Sequence, residues 1–498
     1  VRILLLVALL LLGSTVQGQT LRIGLAEDPD ILDPTMARTF VGRIVFAGLC
    51  DKLFDLDETL NIVPQLATSY QWSADNKSLT LRLRPGVTFH DGEKLDAAAV
   101  KFNLERHKNM QGSNRRGELA AVTSVEVVDE STVRINLATP FAPLLAVLSD
   151  RAGMMVSPKA ARAAGDKFGA TPVCSGPFRF VERIAQDRIV LERYPNYWNK
   201  GAVHFDRVVY LPIPDATVRL ANLKSGQLDL IERLAPSDVA ALGADSRFKI
   251  VKVVGIGYQG ITINVGKSDL AQKNPLGSDA RVREALELSL DRDAVVKVAM
   301  DGQAQAGNQW VAPSNRYYGN SAPLPKRDLE RAKQLLREAG VPNPGFTMMT
   351  PTTSEAQLLG QIVQAMAREA GFDIKIQSTE FATSLDLADK GQFQAYVLEW
   401  SGRADPDGNL YPHLSCNGPL NYSGYCQRDV DNLINQSRTS LDPEQRATLY
   451  DKIASQITKD RPIIYLYHRY WLWVHRVQLT GLRAIPDGIL RLQGLKTN

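Results

Sequence analysis

One short stretch crowds an aromatic ring, a guanidinium group and two carboxylates together: Trp400-Ser401-Gly402-Arg403-Ala404-Asp405-Pro406-Asp407-Gly408. An apolar run, Ala395 to Leu398, leads into it. A strand that empties into a loop of this composition suits the capture of a polar ligand better than the filling of a core. Arg403 offers a planar fork of donors matched to a carboxylate or phosphate. The competing role is a brace, in which Arg403 pairs with Asp405, Asp407 or Glu399 and merely holds the loop.

Other stretches that could do chemistry read as structure. His90-Asp91-Gly92 has no partnering nucleophile, and Asp-Gly supplies turn geometry. There is no GxSxG, so a hydrolase lacks that nucleophile motif. The chain has 6 histidines and none falls in an HExxH pattern. His413 lies close to the charged loop and suits a hydrogen-bonding role better than metal ligation. Gly255-Ile256-Gly257-Tyr258-Gln259-Gly260 matches GxGxxG after a strand-like run, Ile250 to Val254. A dinucleotide site needs a helix next, yet Ile261 to Val265 reads as a strand. No cofactor is expected. The stripe Tyr465, Tyr467, Tyr470, Trp471 and Trp473 is expected to pack rather than to bind, because aromatics dominate core burial.

The elements that must position the loop alternate between strands and helices. Leu21 to Leu25 alternates as a half-buried strand. Leu79, Leu81 and Leu83 share one strand face, ended by Pro85-Gly86. Val125 to Val128 and Val133 to Leu137 flank a turn, and Ile189 to Leu191 and Val208 to Leu211 are further strands. Asp96 caps a helix carrying Val100 and Leu104, and Asp279 to Leu290 is a helix with Val282, Leu286 and Leu290 on one face. Asp328 starts a helix that Gly340 stops. A helix from near Gln357 ends at Gly371, before the strand Phe372 to Ile376. Asp442-Pro443 is an N-cap with proline at the first helical position, and Ile463 to Tyr467 is the strand after that helix. Such alternation implies mixed sheets covered by helices, an α/β architecture.

Length and charge bound the class. A chain of 498 residues exceeds one core and implies two or three domains. Its 58 basic and 54 acidic residues leave a net charge of +4, too balanced to point to nucleic acid or an anionic membrane surface. Arg2 followed by the apolar run Ile3 to Leu12, with Val16-Gln17-Gly18 as a cleavage site, reads as an export signal. The run is too short to span a bilayer, and no later stretch approaches the necessary length. No cysteine follows the run, so a soluble periplasmic protein is expected and a lipoprotein is not. In an oxidising compartment Cys416 and Cys426, ten residues apart across turn residues, are expected to bridge. Cys50, in Ala47-Gly48-Leu49-Cys50, reads as a buried free thiol, and neither it nor Cys174 belongs to a CxxC pair.

Several blocks occur in an order that carries a resemblance. They are Leu32-Asp33-Pro34, Leu83-Arg84-Pro85-Gly86-Val87-Thr88-Phe89-His90-Asp91-Gly92, Ser175-Gly176-Pro177-Phe178, Tyr194-Pro195-Asn196-Tyr197-Trp198, and Val282-Arg283-Glu284-Ala285-Leu286 through Asp291-Arg292. With the Trp400 loop they make the chain similar to the extracytoplasmic solute-binding proteins of family 5, receptors of dipeptide, oligopeptide and nickel ABC importers. The resemblance implies a two-lobed periplasmic binding protein fold of the type II class. It implies residues 1–18 as signal peptide and 19–257 as lobe 1 with an inserted subdomain at about 50–168, completed by 474–498. Lobe 2 is then 258–473. The chain would cross between lobes near Val254–Tyr258 and Tyr470–His475, so the glycines there serve a bend rather than a cofactor.

The implied activity is binding without catalysis. A monomer would enclose one small polar, peptide-like or anionic solute and deliver it to permease subunits in the inner membrane. The candidate ligand-binding residues are Arg403, Trp400, Asp405, Tyr258, Phe381, Trp310 and His413. The chain departs from the peptide receptors it resembles in two places. They carry an acid, which pairs with the peptide ammonium, where this chain has Arg403. They carry an arginine for the peptide carboxylate in the segment that here reads Pro351-Thr352-Thr353-Ser354-Glu355. A metal-chelate receptor is the rival within the binding class, and a periplasmic hydrolase the rival outside it.

Overall fold

The computed structural model describes residues 18–498, the side chain of Ala382 excepted. The export signal read at residues 1–18 therefore lies outside the described residues but for Gly18. A single long strand organises the fold. Ile463–Arg476 is 14 residues long and joins two sheet halves into one 12-stranded sheet. Its first part pairs antiparallel with Tyr258–Ile263 and Ala304–Ala306. Its second part pairs antiparallel with Phe248–Val254 and Leu230–Ile231. The changeover falls at Arg469 and Tyr470, beside Gly255-Ile256-Gly257, which link the two partner strands. The strand outruns the Ile463–Tyr467 segment legible in sequence because its aromatics continue it through the crossing. Tyr465, Tyr467, Trp471 and Trp473 are buried, and Trp471 stacks on Phe40 at 4.5 Å.

In the first half Thr20–Leu25 runs parallel to Arg207–Pro212 and Leu230–Ile231, and Arg188–Arg193 and Phe178–Ile184 extend the edge antiparallel. The helix Phe40–Leu49 is buried along its whole length against this sheet, and Leu21, Ile23, Ile44, Val208, Tyr210 and Trp473 share its core. In the second half Gly345–Pro351 runs parallel to Asp373–Thr379 and Ala395–Trp400. The last of these pairs antiparallel with Tyr258–Ile263. Helices Ala280–Ser289, Leu329–Glu338 and Ser354–Arg368 bury Val282, Leu286, Leu335 and Val363 against Ile261, Val397 and Leu466. A third core belongs to an antiparallel sheet of Ala67–Trp72, Ser78–Leu83, Thr132–Leu137 and Val122–Asp129 with helix Ala97–Asn109.

The aspartate caps behave as their spacing predicts. Asp96, Asp279, Asp328 and Asp442 each accept a backbone N–H at the start of their helix. One boundary moves: the helix expected from near Gln357 begins at Ser354, because the Thr353 hydroxyl accepts the Ala356 N–H. One expectation fails outright. Cys50 is not a free thiol; it is bonded to Cys174, 124 residues away. The end of helix Phe40–Leu49 and the segment before Phe178–Ile184 are held together by the Gly176 N–H on the Leu49 carbonyl, which brings the two sulfurs into bonding range. Closing so long a loop is worth about 5 kcal/mol in the chain-entropy model, against about 3 kcal/mol for the Cys416–Cys426 bridge, which forms as expected.

His90 and Asp91 sit in the turn foreseen for them. The His90 Nε2–H donates to the Gly176 carbonyl, and Nδ1 accepts the Cys174 N–H. Burial lowers its pKa to about 4, so the ring is neutral and fully used in structure.

Candidate functional site

The strand Ala395–Trp400 buries Ala395, Tyr396 and Val397 and pairs Trp400 with Tyr258. The chain then turns at Gly402, whose φ of +87° a side chain rarely adopts. It turns against the crossover. A Cβ on Gly402 would lie 2.4 Å from the Ile256 carbonyl carbon, and one on Gly257 would lie 1.9 Å from the Trp400 oxygen. The charged loop and the bend between the sheet halves therefore interlock, backbone against backbone. Asn409, in the helix Asp407–Leu414, fixes them to each other. It accepts from Trp400 Nε1 at 2.9 Å and from the Arg403 N–H at 2.8 Å. It donates to the carbonyls of Ile256 at 2.9 Å and Trp310 at 3.2 Å.

Each acid that could have braced Arg403 is bound to another arginine. Both oxygens of Asp405 accept from Arg446, at 2.7 and 2.6 Å. Asp407 pairs with Arg438 at 3.1 Å, and burial still lifts its pKa to about 6. Glu399 pairs closely with Arg469. Arg403 is left to point across to the first half. Its guanidinium lies 4.6 Å above the Trp400 ring and donates to the Gly402 carbonyl, and its Nε lies 3.8 Å from Asp150 Oδ2.

Asp150 is the centre of a cluster that the sequence did not announce. Its carboxylate meets Arg43 at 2.8 and 3.1 Å and accepts the Arg151 backbone N–H at 2.7 Å. Arg43, Arg151, Arg403 and Arg115 together hold its pKa well below the carboxylate range despite burial. Arg115 and Arg151 both donate to the Ala37 carbonyl. Arg43, Arg115 and Arg151 are each no more than 3% exposed. Yet Arg43 Nη1, Arg115 Nε and Arg151 Nε have no acceptor among the described residues. Against these four arginines stand Asp150 and Glu118, which pairs with Arg115 at 2.5 Å. The cluster carries an excess of two positive charges. Burial and the crowding of like charges lower the pKa of Arg403 to about 10 and push that of Arg151 well down. Guanidinium groups stay charged in proteins, so the crowding is a standing cost that an incoming anion relieves.

Of the seven residues singled out from sequence, Arg403, Trp400, Tyr258 and His413 come together. His413 packs edge-on to Trp400 at 4.7 Å and to Tyr258 at 6.1 Å. Burial and Arg403 lower its pKa to about 3, so it is neutral. Asp405 stands behind the loop on Arg446. Trp310 is fully buried against Tyr450 at 6.0 Å. Phe381 is 50% exposed at the start of the helix Phe381–Asp389. Sequence reasoning missed Arg43, Arg115, Asp150 and Arg151. One signal was available: Arg43 is a lone charge inside the otherwise apolar helix FVGRIVFAGL, a placement that demands a partner. No group of three or more His, Cys, Asp or Glu that could hold a metal occurs among the described residues.

The architecture has close counterparts. The peptide-bound DppA of Helicobacter pylori aligns with a TM-score of 0.85 at 25% identity, covering 96% of this chain and 98% of that one. The A. tumefaciens R10 protein AgaA, solved with agropinic acid, aligns with a TM-score of 0.84 at 24% identity, covering 96% and 99%. Both are periplasmic binding proteins of the two-lobed fold, which this chain shares. In sequence the chain is 29% identical over 476 residues to the glutathione-binding protein GsiB of Pectobacterium atrosepticum, across 93% of this chain and 91% of that protein. Residues 61–421 match the family described as bacterial extracellular solute-binding proteins, family 5 Middle. The chain belongs to that family and is a solute-binding receptor of an ABC importer.

Proposed function

We propose that this receptor captures a small polar solute by an anionic group, held where Arg43, Arg115 and Arg151 of lobe 1 face Arg403 of lobe 2. The observation that carries the reading is the set of buried guanidinium N–H groups without acceptors beside an excess of positive charge. Trp400 stacks on Arg403 and gives the ligand an apolar wall. GsiB and AgaA carry names or ligands with the same chemistry, since glutathione and agropinic acid are both carboxylates. A nickel chelate is less well supported, because the ring of His413 is buried among Trp400 and Tyr258. No covalent step is proposed.

Lobe 1 comprises residues 19–257 with a subdomain at about 50–168 and is completed by 474–498; lobe 2 comprises 258–473. Closure turns on Gly255–Gly257 and on the middle of the strand Ile463–Arg476, the two places where backbone passes between the sheet halves. The protein is exported as a monomer to the periplasm by a signal cut near Gln19 and passes its solute to permease subunits of the inner membrane. A cut there places the new ammonium on Asp206, whose carboxylate accepts the Gln19 N–H at 2.8 Å.

The test is calorimetric titration of Arg403→Ala and Arg403→Lys with the ligand that native mass spectrometry finds on freshly purified protein. Removing one partner of a desolvated, charge-assisted pair costs roughly 2–5 kcal/mol, or about 30-fold or more in affinity. Lysine restores part of it, because an ammonium cannot reproduce the fork. Near-native affinity in the alanine variant rejects the anionic reading.

A further inference from the structure

The approach of Arg403 to Asp150 is not the only junction between the early and late parts of the chain. Another forms at the end of the helix Arg428–Thr439. There the Ala142 N–H donates to the Arg438 carbonyl at 2.7 Å. That carbonyl lies in the last turn, where carbonyls have no partner within their own helix. The Arg438 guanidinium lies 3.5 Å from the Tyr411 ring centroid and 5.0 Å from that of Phe141. Its Nε is 3.1 Å from Asp407 Oδ1, and the side chain is largely buried.

Each partner is fixed on its own side. Phe141 belongs to the third core, with Leu144 and Leu148. Pro140 and Pro143 flank Phe141-Ala142 and restrict the backbone that presents the ring and the N–H. The segment continues through the short helix Leu144–Val147 to Asp150, so one stretch carries both the Arg438 contact and the countercharge of Arg403. On the other side Tyr411 and Asp407 belong to the helix Asp407–Leu414, whose Asn409 holds Trp400 and the Arg403 N–H. Arg438 therefore ties the Phe141 segment to the helix that orients Arg403.

The two junctions differ in their balance of forces. In the arginine cluster, like charges from Arg43, Arg115 and Arg151 oppose the approach of Arg403. At Arg438 the charge is met by Asp407, and the guanidinium is free to offer attraction to the Phe141 ring. Both contacts there run from protein to protein and need no ligand atom.

We infer that Arg438 and Phe141 are positioning residues that latch the two lobes, so that the empty receptor already populates the closed arrangement with Arg403 in place. This rests on the two-lobed closure proposed above and adds the contact that favours it. The latch offsets part of the repulsion among the arginines, and a bound anion removes more of it. Less of the binding energy is then spent on closing.

The experiment measures the distance between lobes in the ligand-free protein by double electron–electron resonance. Spin labels go on Val127→Cys and Glu330→Cys, both at exposed positions. The four native cysteines are paired, so the labels attach only there. The protein without further change should show the distance of this structure beside a longer one. Phe141→Leu keeps the apolar bulk and removes the ring face. Arg438→Lys keeps a positive charge for Asp407 and loses the planar stack. Each should lower the closed-to-open ratio by about 10-fold, as expected for the loss of one desolvated cation–π contact. An unchanged ratio in both variants, shown to be folded by circular dichroism, overturns the latch. So does a longer distance alone in the protein that keeps Phe141 and Arg438. Asp150→Arg adds like charge to the arginine cluster and should drive the lobes apart. If it opens them while the latch variants change nothing, only the latch fails. If one distance persists in this variant as well, the lobes do not part, and the closure reading fails together with the latch.

Discussion

Replacing Asp150 by asparagine tests the charge arrangement directly. Asparagine caps the Arg151 N–H as well as aspartate does, so the local turn survives. What disappears is the countercharge between Arg43 at 2.8 Å and Arg403 at 3.8 Å. A unit pair at about 4 Å is worth about 4 kcal/mol at an effective dielectric of 20, and breaking a buried pair from one side costs about 3–5 kcal/mol. The empty protein should therefore lose about that much in urea unfolding at neutral pH. The wild-type carboxyl titrates well below its ordinary range. Its stabilisation is present above the unfolded pKa near 4 and is lost as pH falls through the folded value, so the variant should be less sensitive to acid. An anion in the cleft replaces the lost charge. Sulfate should accordingly stabilise Asp150→Asn more than the wild type, beyond the general salting effect that acts on both. Affinity for the anionic ligand should rise in the same variant, because the ligand no longer competes with Asp150. A loss under about 1 kcal/mol, or equal sulfate responses, would show that the arginines around Asp150 are not a strained cation assembly.

Two further outcomes are expected. Burial raises the Asp51 pKa to about 7, although Trp198, Tyr197 and Gln65 donate to it at 2.6, 3.2 and 3.0 Å. A raised folded pKa means that stability is present at low pH and lost as pH climbs through 7. From pH 5 to 8 this group removes about 3 kcal/mol, and Asp51→Asn should flatten that part of the profile; an unchanged slope in denaturant titrations refutes it. Small-angle scattering should show a smaller radius of gyration on adding ligand, as the lobes close about Gly255–Gly257 and Arg469–Tyr470. Identical curves at saturation argue against the hinge.

The local pieces of this protein were legible along the chain. Helix starts followed from Asp96, Asp279, Asp328 and Asp442, because a cap acts within three residues of itself. The Cys416–Cys426 bridge followed from a separation of 10 residues with turn chemistry between. The charged loop stood out because a strand pattern, glycines and unlike charges met in one stretch. Pairings between distant segments emerged only in the assembled fold. Cys50 looked apolar and free until the fold brought Cys174 to it. Asp405, Asp407 and Glu399 were equal candidates for Arg403, and the structure gave them to Arg446, Arg438 and Arg469 instead. Arg403 received its countercharge from Asp150, 253 residues earlier in the chain. Capping, turns and strand alternation are set by neighbours along the chain. A charge takes its partner from whichever face the packing presents, and that face is chosen by cores assembled from the whole chain.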